Sequence, residues 1–134
     1  MSPKAHAYLL VLRWTLALIF LANGIPKLYD PGFGADADQF FASLTDDVIF
    51  QPYKIVLHDL VIPNAPIFAS LVKYGEIALG VVFFLGWPLR LAATAATFLH
   101  LNYLAIASFP TFIYLNVIMI AAEWACVNAF EKHK

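Results

Sequence analysis

Apolar runs broken by short polar joints organise this chain from end to end. Four of them are long enough to cross about 30 Å of hydrocarbon, which takes roughly 20 residues of helix. They are Ala7–Lys27, Pro66–Gly86, Leu89–Phe109 and Thr111–Phe130. The runs are continuous rather than alternating, which speaks against barrel strands. Backbone groups in lipid are satisfied only within a helix or a closed barrel. The pattern therefore predicts an all-α, four-helix transmembrane bundle. The joint "GWPLR" (Gly86–Arg90) ends the second span, sets Trp87 at headgroup level and restarts with Pro88 in a first turn. "SFPTF" (Ser108–Phe112) does the same between the third and fourth. Such short connections force antiparallel neighbours, giving an up-down-up series.

One long connection remains, Leu28–Ala65. Within it Phe40, Phe41, Leu44 and Val48 fall at helical spacing opposite Asp38, Asp46 and Asp47. This predicts a short amphipathic helix lying on the end of the bundle or at the interface. Tyr53–Ile62 is too short to span and is stopped by "PNAP". It fits either a second cap helix or a re-entrant piece.

Composition changes the picture by naming the solvent. Hydrophobic residues make up 62% of the 134 and charged ones 13%, where a soluble domain carries roughly 25% charged residues. Lipid must cover most of the surface, and the length suits one domain, residues 1–134. The net charge of −1 gives nucleic acid no footing. The single cysteine, Cys126, excludes an intrachain disulfide and any Cys-x-x-Cys redox pair. Lys4, Arg90, Lys132 and Lys134 gather on the side of both termini, whereas the long loop sets Lys54 against Asp30, Asp36, Asp38, Asp46, Asp47 and Asp59, with Lys27 and Lys73 at the helix ends facing it. The positive-inside rule then places the termini in the cytoplasm and the loop outside, in the cytoplasmic membrane. Arg13 interrupts the first apolar run, which is also longer than a signal peptide's apolar region, so the run reads as a retained helix.

Charge inside a span costs roughly 2.5–3.5 kcal/mol on insertion scales, so each such group needs a partner. Counting the helical rise places Arg13 and Glu123 together in the inner third, and Glu76 and His100 together near the middle. Lys73 and Asn116 lie further out, and Asn23 and Lys27 near the external end. Arg13, Phe20, Gly24 and Lys27 form one stripe, and Lys73, Glu76 and Gly80 another, Gly80 being small enough for a close helix approach. Thr94, Thr97, His100 and Tyr103 line the third span, and Asn116 and Glu123 stand seven apart on the fourth. Arg13 should thus point inward to a carboxylate, with Glu123 as a register-fixing ion pair or as part of a site. Lys27 and Lys73 fit headgroup snorkelling as well as a pocket. His100 without a second spaced histidine makes no metal site. Glu76 and His100 are the catalytic candidates, because a carboxylate and a histidine at one depth can pass a proton. The candidate pocket comprises Arg13, Gly24, Lys27, Glu76, Gly80, His100 and Glu123.

"LRWTLALIFLANGIPKL" followed by "GEIALGVVFFLGWPLRLAA" resembles the DoxX family of small four-helix membrane proteins. The family's early arginine and Gly-x-x-Lys exit are matched by Arg13, Gly24 and Lys27. Its helix-two glutamate, glycines and turn arginine are matched by Glu76, Gly80, Gly86 and Arg90. The resemblance covers the first three spans; the long loop and the fourth span match in length and hydropathy only.

The resemblance implies a multi-pass protein of the cytoplasmic membrane, with relatives that look like subunits of quinone-linked oxidoreductases or partners of oxidative-stress proteins. Wider similarity to vitamin K epoxide reductase-type bundles implies a quinone-sized cavity, without the cysteine pair that performs their chemistry. The chain carries no ligand set for haem, flavin or iron–sulfur. Three readings follow. In the first, a redox-associated auxiliary subunit binds a quinone, with a membrane oxidoreductase as protein partner. In the second, the protein is a non-catalytic scaffold whose loop docks a partner. The third is a small-solute or proton-linked transporter, which the absence of repeats and broken spans disfavours. So much apolar surface also allows a homodimer, although no span has a Gly-x-x-x-Gly motif.

Overall fold

A computed structural model describes residues 1–106 and 110–131. Every regular element among the described residues is helical. In chain order the α-helices are α1 (Pro3–Lys27), α2 (Ala37–Leu44), α3 (Gln51–Val56), α4 (Ala65–Leu85), α5 (Leu89–Ile106) and α6 (Pro110–Phe130), with a 3-10 turn at Pro31–Phe33 between α1 and α2. Ser2 opens α1 by accepting the amide of Ala5 at 3.2 Å, with Pro3 in the first turn where its missing N–H costs nothing. Gly86 ends α4 in the left-handed region at φ +85°, its amide closing onto the carbonyl of Val82.

Among the described residues, three helical runs are long and apolar enough to cross a membrane: Pro3–Lys27, Gln51–Leu85 and Pro110–Phe130. Helix α5, expected to span, is not among them. Arg90, Thr94, Thr97, His100 and Asn102 dilute its apolar character. The expected end of that span and the "SFPTF" joint fall on residues 107–109, which lie outside the described residues.

The four long helices pack mainly as α1 against α4 and α5 against α6, with α1–α6 and α4–α5 contacts joining the pairs. The α1–α4 contact is close because each helix brings a glycine to it. A Cβ on Gly80 would stand 2.6 Å from Leu21 Cγ and 3.0 Å from the Ala17 carbonyl. One on Gly24 would stand 2.9 Å from Ile77 Cγ1. Small residues at a crossing are what membrane helices use where no hydrophobic effect draws them together.

Two apolar cores result. Leu16, Ala17, Phe20, Phe83, Leu89, Ala93, Cys126 and Val127 form the first, toward the chain termini. Phe33, Ala37, Phe41, Val48, Leu57, Val61, Ala65 and Ala69 form the second, between the 28–64 connection and the first half of α4. The expected amphipathic helix is α2, with Phe41 buried and Asp38 exposed, but it stops at Leu44. Val48 reaches the core from the turn beyond, because Thr45, Asp46 and Asp47 favour backbone bonding outside a helix. "PNAP" does not stop the next segment either. Helix α3 passes through a π turn (Leu57–Val61) and a 3-10 turn (Ile62–Asn64) directly into α4. The whole run is 35 residues, roughly 50 Å at 1.5 Å per residue, so it outreaches a bilayer core and its first part forms a cap. Tyr53 ties that cap to α5, donating to Asn102 Oδ1 at 2.6 Å.

Candidate functional site

Ionisable side chains gather where the two cores meet, in two adjoining networks. Glu76, on the α4 face turned to α1, is 2% exposed, a burial that an ionised carboxylate tolerates only with strong partners. It has two. Lys27, in the last turn of α1, places Nζ 2.5 Å from Oε2. Tyr103 of α5 donates its phenol to Oε1. The Lys27 ammonium also lies 5.2 Å from the Phe33 ring centroid, a cation–π contact with the cap. Gly24 makes room for this pair, since a Cβ there would stand 3.1 Å from Glu76 Cβ.

The second network joins α5 to α6. His100 lies with Nε2 2.8 Å from Glu123 Oε1 and Nδ1 2.7 Å from Asn116 Oδ1. Asn116 Nδ2 donates to the Phe112 carbonyl at 2.8 Å. Glu123 is fully buried, and its Oε2 has no partner among the described residues. The His100 ring stands edge-on to Tyr103 at 6.3 Å and tilted against Phe20 at 5.8 Å. Tyr103 thus belongs to the first network by its hydroxyl and adjoins the second by its ring.

Several sequence expectations are corrected by this geometry. Arg13 does not pair with Glu123. It half-caps the far end of α4, donating to the Phe84 carbonyl at 3.4 Å, with its guanidinium against Gly86 and 4.9 Å from the Phe130 ring. The free carbonyls and negative dipole end of α4 supply what a carboxylate was expected to supply. Glu76 and His100 are not bonded to each other; each has taken a different partner. Lys27 sits level with Glu76 rather than beyond it, because α1 ends beside the middle of α4 while α4 runs on into the cap. Neither lysine snorkels: Lys73 donates to the Phe33 carbonyl at 2.8 Å. Of the pocket residues, Lys27, Glu76, Gly24 and Gly80 meet at the α1–α4 crossing, His100 and Glu123 form the adjoining pair, and Arg13 stands apart. Tyr103 and Asn116 were not placed in the pocket, although helical spacing had already put them on the stripes of His100 and Glu123.

Two clefts lie elsewhere. One is at the chain ends, beside Pro3, His6 and Phe130, and the other runs along the outer face of α4, beside Ile67, Tyr74 and Ala78. Neither is lined by a candidate residue. The polar side chains close on one another instead.

The DoxX family model matches residues 8–109. The chain belongs to the DoxX family. It is therefore a multi-pass membrane protein, and the match runs from the first turns of α1 through α5, taking in Lys27, Glu76, His100 and Tyr103. No curated protein and no solved structure matches the chain. Glu123 and Asn116, which complete the second network of this DoxX protein, lie beyond the matched residues.

Proposed function

We propose that this DoxX-family protein is a single-domain, four-helix transmembrane bundle serving as an auxiliary subunit of a quinone-linked redox system. Both termini face the cytoplasm, and the capped end of the bundle faces outward. The observation that carries this reading is the Lys27–Glu76–Tyr103 cluster, in which an ammonium, a carboxylate and a phenol share one buried spot at the meeting of two apolar cores. A quinone headgroup asks for that chemistry: donors to its carbonyl oxygens, a group that handles its protons, and apolar surroundings for its tail. Lys27 and Tyr103 are the donors. Glu76, freed when they turn to the ligand, relays the protons that the quinone takes up as it is reduced to the quinol, and His100 stands next to Tyr103 as the further proton carrier. Entry is past Lys27, whose side chain remains 20% exposed while Glu76 is sealed behind it. Electrons come from a protein partner in the membrane. Arg13, at the other end of α4, takes no part in the headgroup site.

Stabilisation of the purified protein by a short-chain quinone tests the reading. A rise in the unfolding temperature with quinone, reduced in Tyr103→Phe, supports it, and an unchanged unfolding temperature at saturating quinone contradicts it.

The scaffold reading draws on one observation of its own: every polar group of the Glu76 cluster already has a protein partner. Under it the cluster only fixes helix register, and Glu76→Gln retains partner assembly and redox function alike.

A further inference from the structure

The hydrogen-bond inventory around His100 fixes more than its position. Asn116 commits its amide to the Phe112 carbonyl, so the oxygen it turns to His100 is an acceptor and Nδ1 must carry hydrogen. One proton is then left for the bond between Nε2 and Glu123 Oε1, and it resides on one atom or the other. If it were on His100, Glu123 would be a carboxylate with Oε2 fully buried and without a donor among the described residues, on the face where α6 gives Met119, Cys126 and Val127 to the apolar core. An anionic oxygen abandoned in apolar surroundings is far more costly than a neutral carbonyl-type oxygen in the same place.

We infer that Glu123 and His100 form an intramembrane proton-binding site, in which Glu123 is a carboxylic acid donating to neutral His100. The titratable groups around the pair are Glu76 on α4, Tyr103 on α5, Lys27 and Arg13 on α1, and Cys126 on α6. Lys27 and Glu76 cancel each other's charge, and Arg13 is held at the end of α4. None of them offers Glu123 Oε2 a hydrogen bond. The apolar core closes the pair off toward the chain termini, and its polar neighbours Tyr103 and Glu76 lie on the other side. Proton exchange therefore runs through the end of the bundle that carries the cap. This deepens the proposed reading of the site by naming where its stored proton resides, yet it holds whether or not a quinone binds.

Infrared spectroscopy of the purified protein in a detergent without ester groups tests it, because a protonated carboxyl has a carbonyl stretch well separated from the carboxylate bands. At neutral pH the protein should show this band, Glu123→Gln should abolish it, and Glu76→Gln should keep it. A wild-type protein without the band at neutral pH overturns the assignment, as does a band that survives Glu123→Gln. Should Glu123→Gln fail to fold, Glu123→Asp decides the matter: the band should remain at neutral pH but move in frequency, and a band that does not move refutes the site. Failure of quinone binding leaves this band untouched, so the two proposals fail separately.

Discussion

Lys27, the last residue of α1, sets its ammonium 2.5 Å from the carboxylate of Glu76, about half-way along α4. The pair joins the end of one helix to the middle of another, and it does so at the seam between the two apolar cores. It fixes how far α1 can slide along α4, and it delivers the only strong counter-charge that Glu76 has among the described residues.

Removing one side of that pair should be costly. Lys27→Met leaves Glu76 buried with Tyr103 alone, and loss of one partner of a buried ion pair costs about 3–5 kcal/mol. With Lys27 one-fifth exposed, the expected loss is at the lower end, about 3 kcal/mol. Thermal unfolding in detergent measures it. The double variant Lys27→Met with Glu76→Leu should recover most of the loss, since no charge is then stranded.

The glycines of α4 should respond oppositely to the same change. Gly80→Ala puts a methyl into Leu21 and the Ala17 carbonyl, and it should destabilise by about 1–3 kcal/mol as α1 is pushed away. At Gly75 nothing lies within 4 Å of the added carbon, so Gly75→Ala should gain up to about 1 kcal/mol through helix propensity. Unfolding curves of the two variants, side by side, check both signs.

Arg13 offers a third contrast. As a cap on α4 its charge is worth about 0.3–1 kcal/mol, so Arg13→Gln should be mild. An Arg13–Glu123 ion pair would instead make it several-fold worse and couple it to Glu123. The double variant with Glu123→Gln should be additive within about 0.5 kcal/mol.

How far the fold could be read from the sequence follows from what periodicity reports. The long apolar runs declared α1, α4 and α6 as membrane-length helices, and the stripes put Gly80 against a neighbour and Lys73, Glu76 and Gly80 on one face. Depth was the weaker inference. Counting 1.5 Å per residue from each end assumes that every helix begins at the same plane, whereas α4 begins as the continuation of α3 within the cap. Lys27 and Glu76 therefore meet although the count placed them apart. Arg13 misled for a chemical reason: a search for carboxylates overlooks backbone carbonyls, and a helix C-terminus offers four. Tyr103 was hidden by its ordinariness, because a tyrosine in an apolar helix announces no partner until Glu76 is seen to face it.

The most direct test of the quinone-site claim is the quinone content of the protein extracted in native membrane discs, measured by mass spectrometry against total lipid. Quinone enriched over the surrounding membrane in the wild type, and falling to the membrane ratio in Tyr103→Phe with Lys27→Met, is the predicted result. A wild-type protein carrying no more quinone than its membrane would contradict it.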